Sequence, residues 1–551
     1  MIISGLGILP LSIIVVYSFM SPGSYGGIEW KPTLEAWINL LFERDIFNET
    51  LHINFAHLAI ISRSIGLALA ATLLTLFFGF PTAYFIATRP SRQKNFWLFL
   101  VILPFCCNLL VRIFAMLPFI RDQGFINHLL INLNIIESPL RIIYTDAAVA
   151  IGLVYTYLPL MVMPLYASME KLNFGLIEAG CDLYGNRWSV LTRIIVPLVK
   201  PGIVAGCILV FIPVLGAYVV PRILGGGKHL MLGNLIANQF GPSRDWPMGS
   251  VLALFLTAMV MVALMAYVRH TVKSQTKVEH PISDRSKRYF NIGRMPGFTP
   301  LALFCLLCLY APLAMMTVFS FNASRSVTRL SGFSLHWYKQ AASNPYVQDA
   351  ALLSLKLALC AACLATIAAT IAALATTRCK PFKGYTLVYG IINQPLMVPE
   401  IVMAVAIMAF FGLIKQYTGI QGIGYLLLAH SVFCIPFAYL PIRARLENMD
   451  LSFEQAAADL YANPWRVFRR VTLPMVMPGI QAGAMLSFVV SLDDVIISML
   501  VAGPGETTLP VFMLGQLRRG FTPEINAIST VLIGVCVLIV SLVFWLSMKK
   551  R

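Results

Sequence analysis

The chain has 551 residues, of which 58% are hydrophobic and only 12% charged, and its mean hydropathy is +0.78. A soluble protein of this length carries about a quarter charged residues, so water-soluble globular domains are excluded as the main architecture. The formal net charge of +17 raises the question of a nucleic-acid partner, and the placement of the charges along the chain answers it in the negative.

Apolar runs such as Ile60 to Phe80, Leu303 to Phe321 and Ala350 to Ala375 each approach or exceed the roughly 20 residues that cross a hydrocarbon core at about 1.5 Å per residue. Backbone groups find no water there, so such runs must be helices. In chain order the pattern predicts twelve spans, near 1–20, 58–88, 95–120, 146–168, 201–221, 249–268, 300–321, 350–377, 384–414, 423–442, 477–502 and 526–548. With the amino terminus inside, more than half of the 41 Lys and Arg residues fall in cytoplasmic segments, among them Arg89, Lys94, Lys171, Arg193, Arg285, Arg443 and Arg470. That excess is the positive-inside pattern, and it sets orientation in a lipid bilayer, with both termini cytoplasmic. The first span starts at Met1 without a basic flank, and Ser21-Pro22-Gly23 is a poor cleavage site. A retained signal anchor or a truncated natural start both fit. Cys305/Cys308 and Cys360/Cys363 have CxxC spacing but lie on apolar runs, where small packing residues are the reading.

A repeat organises the rest. Glu178-Ala-Gly-Cys-Asp-Leu-Tyr-Gly-Asn-Arg-Trp, running on to Pro197 and Pro201-Gly202-Ile203, recurs as Gln455-Ala-Ala-Ala-Asp-Leu-Tyr-Ala-Asn-Pro-Trp, running on to Pro474 and Pro478-Gly479-Ile480. The offset is 277 residues, and it also holds at Pro159/Pro436, Pro164/Pro441 and Glu170/Glu447. Six spans separate the copies, so the halves run parallel. The division expected is an amino-terminal half at 1–269 (core about 58–268), a polar cytoplasmic linker at 270–299, and a carboxyl-terminal half at 300–551 (core about 350–546). Each repeated loop is amphipathic, with Leu183, Tyr184, Trp188, Val190 and Ile194 at near-helical spacing. It suits either docking in a partner's groove or lying flat on the membrane.

These loops resemble the cytoplasmic signature of the permeases of binding-protein-dependent ABC importers. The first copy offers Glu178, Ala179 and Gly180, then Ile194 and Val196-Pro197. The second offers Gln455, Ala456 and Ala457, then Val471 and Leu473-Pro474. Both depart from the family's glycine, which is Tyr184 in one copy and Tyr461 in the other, and the second has Gln for Glu beside Glu454. Further stretches narrow the likeness. Leu98 to Arg112, Tyr144-Thr145-Asp146, Leu158-Pro159 and Glu170-Lys171-Leu172 are similar to one permease subunit of spermidine/putrescine importers. Ser491-Leu-Asp-Asp-Val-Ile, Gly503-Pro504, Thr507 to Pro510 and Pro523 to Ala527 are similar to its partner.

The resemblance implies an all-α membrane protein with two parallel six-helix halves of type I importer fold. It implies a permease in the bacterial inner membrane that holds no cofactor, metal or catalytic residue. It also implies a periplasmic solute-binding protein and two copies of an ABC ATPase subunit as partners. Those ATPases would meet coupling loops carrying Glu178, Ala179, Asp182, Gln455, Ala456 and Asp459. The chain's own phosphate-loop candidates fail: Gly225-Gly226-Gly227-Lys228-His229 lacks the leading glycine and the Ser/Thr, and Leu330-Ser331-Gly332-Phe333 departs from an ABC signature.

For the substrate path the candidates are Asp493, Asp494 and Glu400, with Tyr155 and Tyr157 (and Tyr218) as aromatic neighbours of a small cationic substrate. Asp493 and Asp494 fall in the middle of the eleventh expected span, where an ionised Asp costs about 2.5–3.5 kcal/mol. Two readings stand: a gate or packing pair held by Ser487, Ser491 and Ser498, or carboxylates that meet an ammonium group. An ion-coupled secondary transporter could use the same acids, but it gives no reason for a duplicated cytoplasmic helix. Ferric iron, aminoethylphosphonate and molybdate are other cargoes of related permeases.

Overall fold

The computed structural model describes residues 2–44, 50–183, 186–272, 297–324, 331–378, 384–419, 422–516 and 523–549. The linker expected at 270–299, apart from its ends, lies outside them, as do Tyr184 and Leu330. The chain begins with α1 (Ile2–Tyr17), hairpin strands β1 (Met20–Pro22) and β2 (Ile28–Pro32), α2 (Glu35–Leu41), and a second hairpin of β3 (Phe42–Arg44) and β4 (Leu51–Ile53). Then come α3 (Phe55–Ala87), α4 (Ser91–Phe105), α5 (Leu109–Ile120), α6 (Phe125–Asn132), α7 (Asp146–Glu170) and α8 (Phe174–Asp182). The first half ends with α9 (Arg187–Val190), α10 (Val196–Leu215), α11 (Val219–Leu224), α12 (Leu232–Phe240) and α13 (Trp246–Val272).

The second half opens with α14 (Phe298–Ser320), α15 (His336–Ser343), α16 (Pro345–Arg378), α17 (Tyr385–Met397), α18 (Glu400–Thr418) and α19 (Gly424–Glu447). It continues with α20 (Ser452–Asp459), α21 (Pro464–Val467), α22 (Leu473–Asp493), α23 (Ile496–Val501), α24 (Leu509–Gln516) and α25 (Pro523–Lys549). Among the described residues nine helices are long and apolar enough to cross a membrane, or ten if the bent pair Gln93–Phe105 and Leu109–Asn132 is one span. Shorter apolar helices stand at Ile8–Tyr17 and Pro523–Leu538, so every one of the twelve expected spans has a helical counterpart.

Four of those spans are not single straight helices as expected. The 95–120 run bends by 87° at Cys106–Asn108, where the Asn108 side chain accepts from Leu110 N (2.9 Å) and caps the new helix. The 384–414 run breaks at Val398–Pro399, because proline cannot continue the hydrogen-bond ladder. The fifth and eleventh spans begin earlier than expected, at Arg187 and Pro464, and the helices stop at Leu215 and Asp493. In both, a π turn (Leu191–Ile195 and Phe468–Thr472) precedes Pro197 and Pro474. A wider turn makes room for the proline ring against the carbonyl four residues back.

Two compact units emerge, and they divide the chain differently from the repeat. One comprises Met1–Ile38, Ile236–Leu254 and Ala342–Gly520, and the other Asn39–Leu235, Phe255–Ala341 and Phe521–Arg551. In the first unit α16 packs on α19 and α22, and α1 packs on α17, α18 and α19. The second unit has α3 on α7 and α10, with α14 against α3, α4, α5 and α25. Each half's first helix is therefore exchanged into the unit that holds the other half's core. Small residues permit the close approaches within each. Gly202 and Gly206 face Pro164 and Met161, and a Cβ on Gly202 would come within 2.7 Å of the Pro164 carbonyl oxygen. Gly479 and Gly483, at the same offset, face Pro441, Arg445 and Ala438. These are small-xxx-small ridges, which let membrane helices pack where lipid offers no hydrophobic drive. A serine latch recurs too: Leu232 N donates to Ser64 Oγ (2.8 Å) and Leu509 N to Ser354 Oγ (2.7 Å).

Candidate functional site

The helix break at the end of α22 puts a new complexion on the paired acids. In the continuous helix that the sequence suggests they would stand about 100° apart around its axis. Instead Asp493 is the last helical residue and Asp494 has extended backbone (φ −61°, ψ 132°). Its carboxylate folds forward onto the next helix, with Oδ2 accepting from Ser498 N (2.8 Å) and Ser498 Oγ (3.0 Å) and Oδ1 from Ile497 N (3.3 Å). Asp494 therefore caps α23 and neutralises the positive end of its dipole.

His430, on α19, extends this arrangement, and sequence reasoning missed it. Its Nε2 stands 3.4 Å from Asp494 Oδ2 and 3.0 Å from Ser498 Oγ, while Nδ1 stands 2.9 Å from Ser491 Oγ. The imidazole is 1% exposed. With the proton on Nε2, one donor chain runs from Ser491 Oγ to Nδ1, from Nε2 to Ser498 Oγ, and on to Asp494; the tautomer follows from the network. A lone histidine in an apolar run gave no periodic signal, and only its approach to the α22–α23 break reveals the contact.

Glu400, first residue of α18 after Pro399, brings its carboxyl within side-chain hydrogen-bond reach of Asp494, with Asp493 also close. The three candidate acids thus meet at two helix starts, α18 and α23, within one unit. Broken helices whose N-terminal ends meet polar side chains are the membrane form of an ion or substrate site. Glu400 and Asp493 are half-buried, whereas Asp494 is 5% exposed. Among the described residues no group of three His, Cys, Asp or Glu is arranged to hold a metal ion.

The aromatic candidates belong to the other unit. Tyr155, on α7, is buried and donates its hydroxyl to Leu309 O of α14 at 3.2 Å, which ties together two packed helices. Tyr157 is half-buried. Tyr218 is buried at the end of α10, with the Arg222 guanidinium 5.6 Å from its ring centre, so a cation of the protein itself already occupies that face. The serines expected to support the acids divide their roles: Ser491 and Ser498 do so, but Ser487 donates to Cys434 O.

The repeated loops form the short helices α8 and α20, each followed by a turn and a helix capped by asparagine. Asn186 Oδ1 accepts from Ser189 N (2.7 Å) and Asn463 Oδ1 from Arg466 N (2.8 Å). Ala179, Asp182, Gln455, Ala456 and Asp459 are exposed and Glu178 is half-buried. Leu183, Trp188, Leu460, Tyr461 and Trp465 present large apolar surface beyond the helix ends. Tyr461 sits at φ 56°, a left-handed conformation that a glycine would adopt without strain.

The sequence matches the family described as binding-protein-dependent transport system inner membrane component twice, over residues 75–274 and 365–549. The chain belongs to this family. It is 41% identical over 244 residues to the spermidine/putrescine transport system permease protein PotB of Escherichia coli (strain K12), a match that covers 44% of this chain and 88% of that protein. The Salmonella typhimurium (strain SL1344) counterpart is 40% identical over 276 residues, 50% of this chain and 92% of its own. The putrescine transport system permease protein PotI of Escherichia coli (strain K12) is 38% identical over 262 residues, covering 47% and 93%. A solved bacterial ABC transporter involved in the import of the acidic polysaccharide alginate aligns with 49% of this chain and 99% of that chain, at 16% identity and a TM-score of 0.35; at that score the likeness carries no weight. Each relative corresponds to about half of this permease, and the family pattern occurs twice, so two permease subunits are fused in one all-α, multi-pass protein of the inner membrane.

Proposed function

We propose that this permease imports polyamines of the spermidine/putrescine type, delivered by a periplasmic solute-binding protein and driven by two copies of a separate ABC ATPase. The observation that carries the cargo assignment is the meeting of Glu400, Asp493 and Asp494 at two helix starts. Asp494 caps α23, and Glu400 and Asp493 beside it are the carboxylates that meet ammonium groups in this reading. A charge-assisted hydrogen bond in such a partly desolvated place is roughly twice as strong as a neutral one. The relatives named for spermidine and putrescine favour the same cargo.

Coupling follows from the duplicated loops. The ATPases dock around 170–200 and 447–474, with Glu178, Ala179, Asp182, Gln455, Ala456 and Asp459 at the contact. ATP binding draws α8 and α20 together and opens the path outward, and hydrolysis resets it. The two halves, 1–269 and 300–551, are joined by a cytoplasmic linker at 270–299, and both termini are cytoplasmic.

Two experiments test the reading. In vesicles containing permease, ATPase and binding protein, unlabelled spermidine and putrescine should compete with labelled putrescine uptake, whereas ferric iron and aminoethylphosphonate should not. The opposite pattern removes the polyamine assignment. For orientation, Ser283→Cys and Ser547→Cys should resist an impermeant thiol reagent added to intact spheroplasts, and labelling of Ser283→Cys would refute the six-plus-six arrangement.

A further inference from the structure

The second copy of the docking loop has glutamine where the first has Glu178, and Glu454 next to it is the obvious substitute. The side chain of Glu454 points elsewhere. Its carboxylate receives Arg378 Nε from the end of α16, at 3.3 Å to Oε1 and 3.0 Å to Oε2, and the Thr472 hydroxyl at 2.7 Å. Arg378 Nη1 also donates to Leu446 O (3.3 Å), at the end of α19. One ion pair thus joins the docking helix α20, the π turn below α22, and the cytoplasmic ends of α16 and α19, all within one compact unit. Both side chains are largely shielded, at 20% and 17% exposure.

At the matching places of the first half the charges are gone. The 277-residue offset puts Ile177 opposite Glu454 and Ile195 opposite Thr472, and both isoleucines are fully buried. Aligning α3 on α16 by their serine latches puts Thr88 opposite Arg378, and its hydroxyl bonds back to Tyr84 O and Phe85 O of its own helix. At these matched positions the first docking helix is anchored by buried isoleucines, and the second by a hydrogen-bonded ion pair.

We infer that Arg378 and Glu454 are positioning residues that clamp the second docking helix onto the ends of its own transmembrane helices, so that α20 carries motion between ATPase and permease without presenting Glu454 to the partner. This rests on α20 being a docking helix. Removing one partner of a shielded pair leaves the other charge uncompensated, and here the result is a docking helix free to tilt. In a soluble ATPase partner nothing need change.

The test uses the full permease, its ATPase and its binding protein in proteoliposomes, reading hydrolysis stimulated by loaded binding protein alongside uptake. Arg378→Met and Glu454→Gln should each lower uptake more than hydrolysis, with uptake down about tenfold, near 1.4 kcal/mol. The double variant should be no worse than either single one, and the exchanged pair Arg378→Glu with Glu454→Arg should recover a large part of the uptake. If Arg378→Met behaves as wild type while Glu454→Gln fails, Glu454 touches the ATPase and the inference is overturned. It is equally overturned if the two singles add in the double. Should a single variant fail to insert, the exchanged pair alone decides: no recovery refutes the clamp. Leu460→Asp, at the exposed tip, separates the two levels. Normal coupled hydrolysis in Leu460→Asp removes the docking reading itself, whereas its loss beside normal Arg378→Met removes only the clamp.

Discussion

The two halves carry the same backbone devices at the same offset and different chemistry upon them. Both have the π turn before a proline, the Asn-capped helix after the docking turn, the paired glycines on the fifth and eleventh spans, and a break where those spans end. At the break the first half reads Gly216-Ala217-Tyr218 and the second Asp493-Asp494-Val495. The next helices, α11 and α23, begin in register all the same. The capping acid is therefore not what creates the break. The scaffold leaves the residues at the break open to chemical choice, and the acids were placed in only one of two equivalent positions. A membrane-embedded carboxylate is costly, and the proposed contact with the cargo accounts for a placement that the backbone does not require.

The largest effect expected on this contrast comes from neutralising the acids that do not cap. Asp493→Asn and Glu400→Gln should each cut polyamine uptake tenfold or more, about 1.4 kcal/mol, at equal expression. Asp494→Ala should instead lower thermal stability along with uptake, because removing a capping side chain costs about 0.5–2 kcal/mol. Normal transport in all three would make the acids structural and remove the distinction between the halves. Next in size is the docking contrast: charge reversal at Glu178 and Asp182 should lower uptake and stimulated hydrolysis together, and Glu178→Ala should be more damaging than Gln455→Ala. Equal effects would mean that Glu178 serves packing.

A smaller effect concerns how α8 and α20 sit on the helix that follows. In the first half a Cβ on Gly180 would collide with Ile194 Cδ1, whereas the second half pairs Ala457 with the shorter Val471. The obstructing atom is the far end of a flexible side chain, so Gly180→Ala should destabilise by about 1 kcal/mol, the low end for overpacking, and Ile194→Val should restore most of it by recreating the other half's pair. Melting of the detergent-solubilised protein measures both. The smallest effect is at Tyr461, where relief of the left-handed conformation by Tyr461→Gly should raise stability by about 1 kcal/mol. A lower melting temperature would show that the tyrosine ring compensates for its backbone.

The repeated loops were legible as sequence because each is a local pattern printed twice, and two copies in register exclude accident. The acids were legible as expensive residues in an apolar run, but their arrangement was not. Asp494 was expected in mid-helix, and its role as a cap depends on Ser498 and on a helix that stops one residue earlier. His430 could not be found from the chain alone, since the contacts that give it meaning reach 61 and 68 residues away, to Ser491 and Ser498. Glu454 misled for a similar reason: adjacency in sequence suggested a substitute for the missing Glu, while its partner Arg378 lies 76 residues back.

By itself the sequence determined the membrane class, the helical content and the duplicated plan. These depend on run length, on rise per residue and on the absence of water from hydrocarbon, and each is a local quantity. Only the tertiary structure decided where the spans break, which unit receives each half's first helix, and which carboxylate turns inward. A helix in lipid is apolar on every side, so its pattern does not name its neighbour. A break frees backbone groups that lipid cannot satisfy, and in the second half Asp494 takes up those of Ile497 and Ser498.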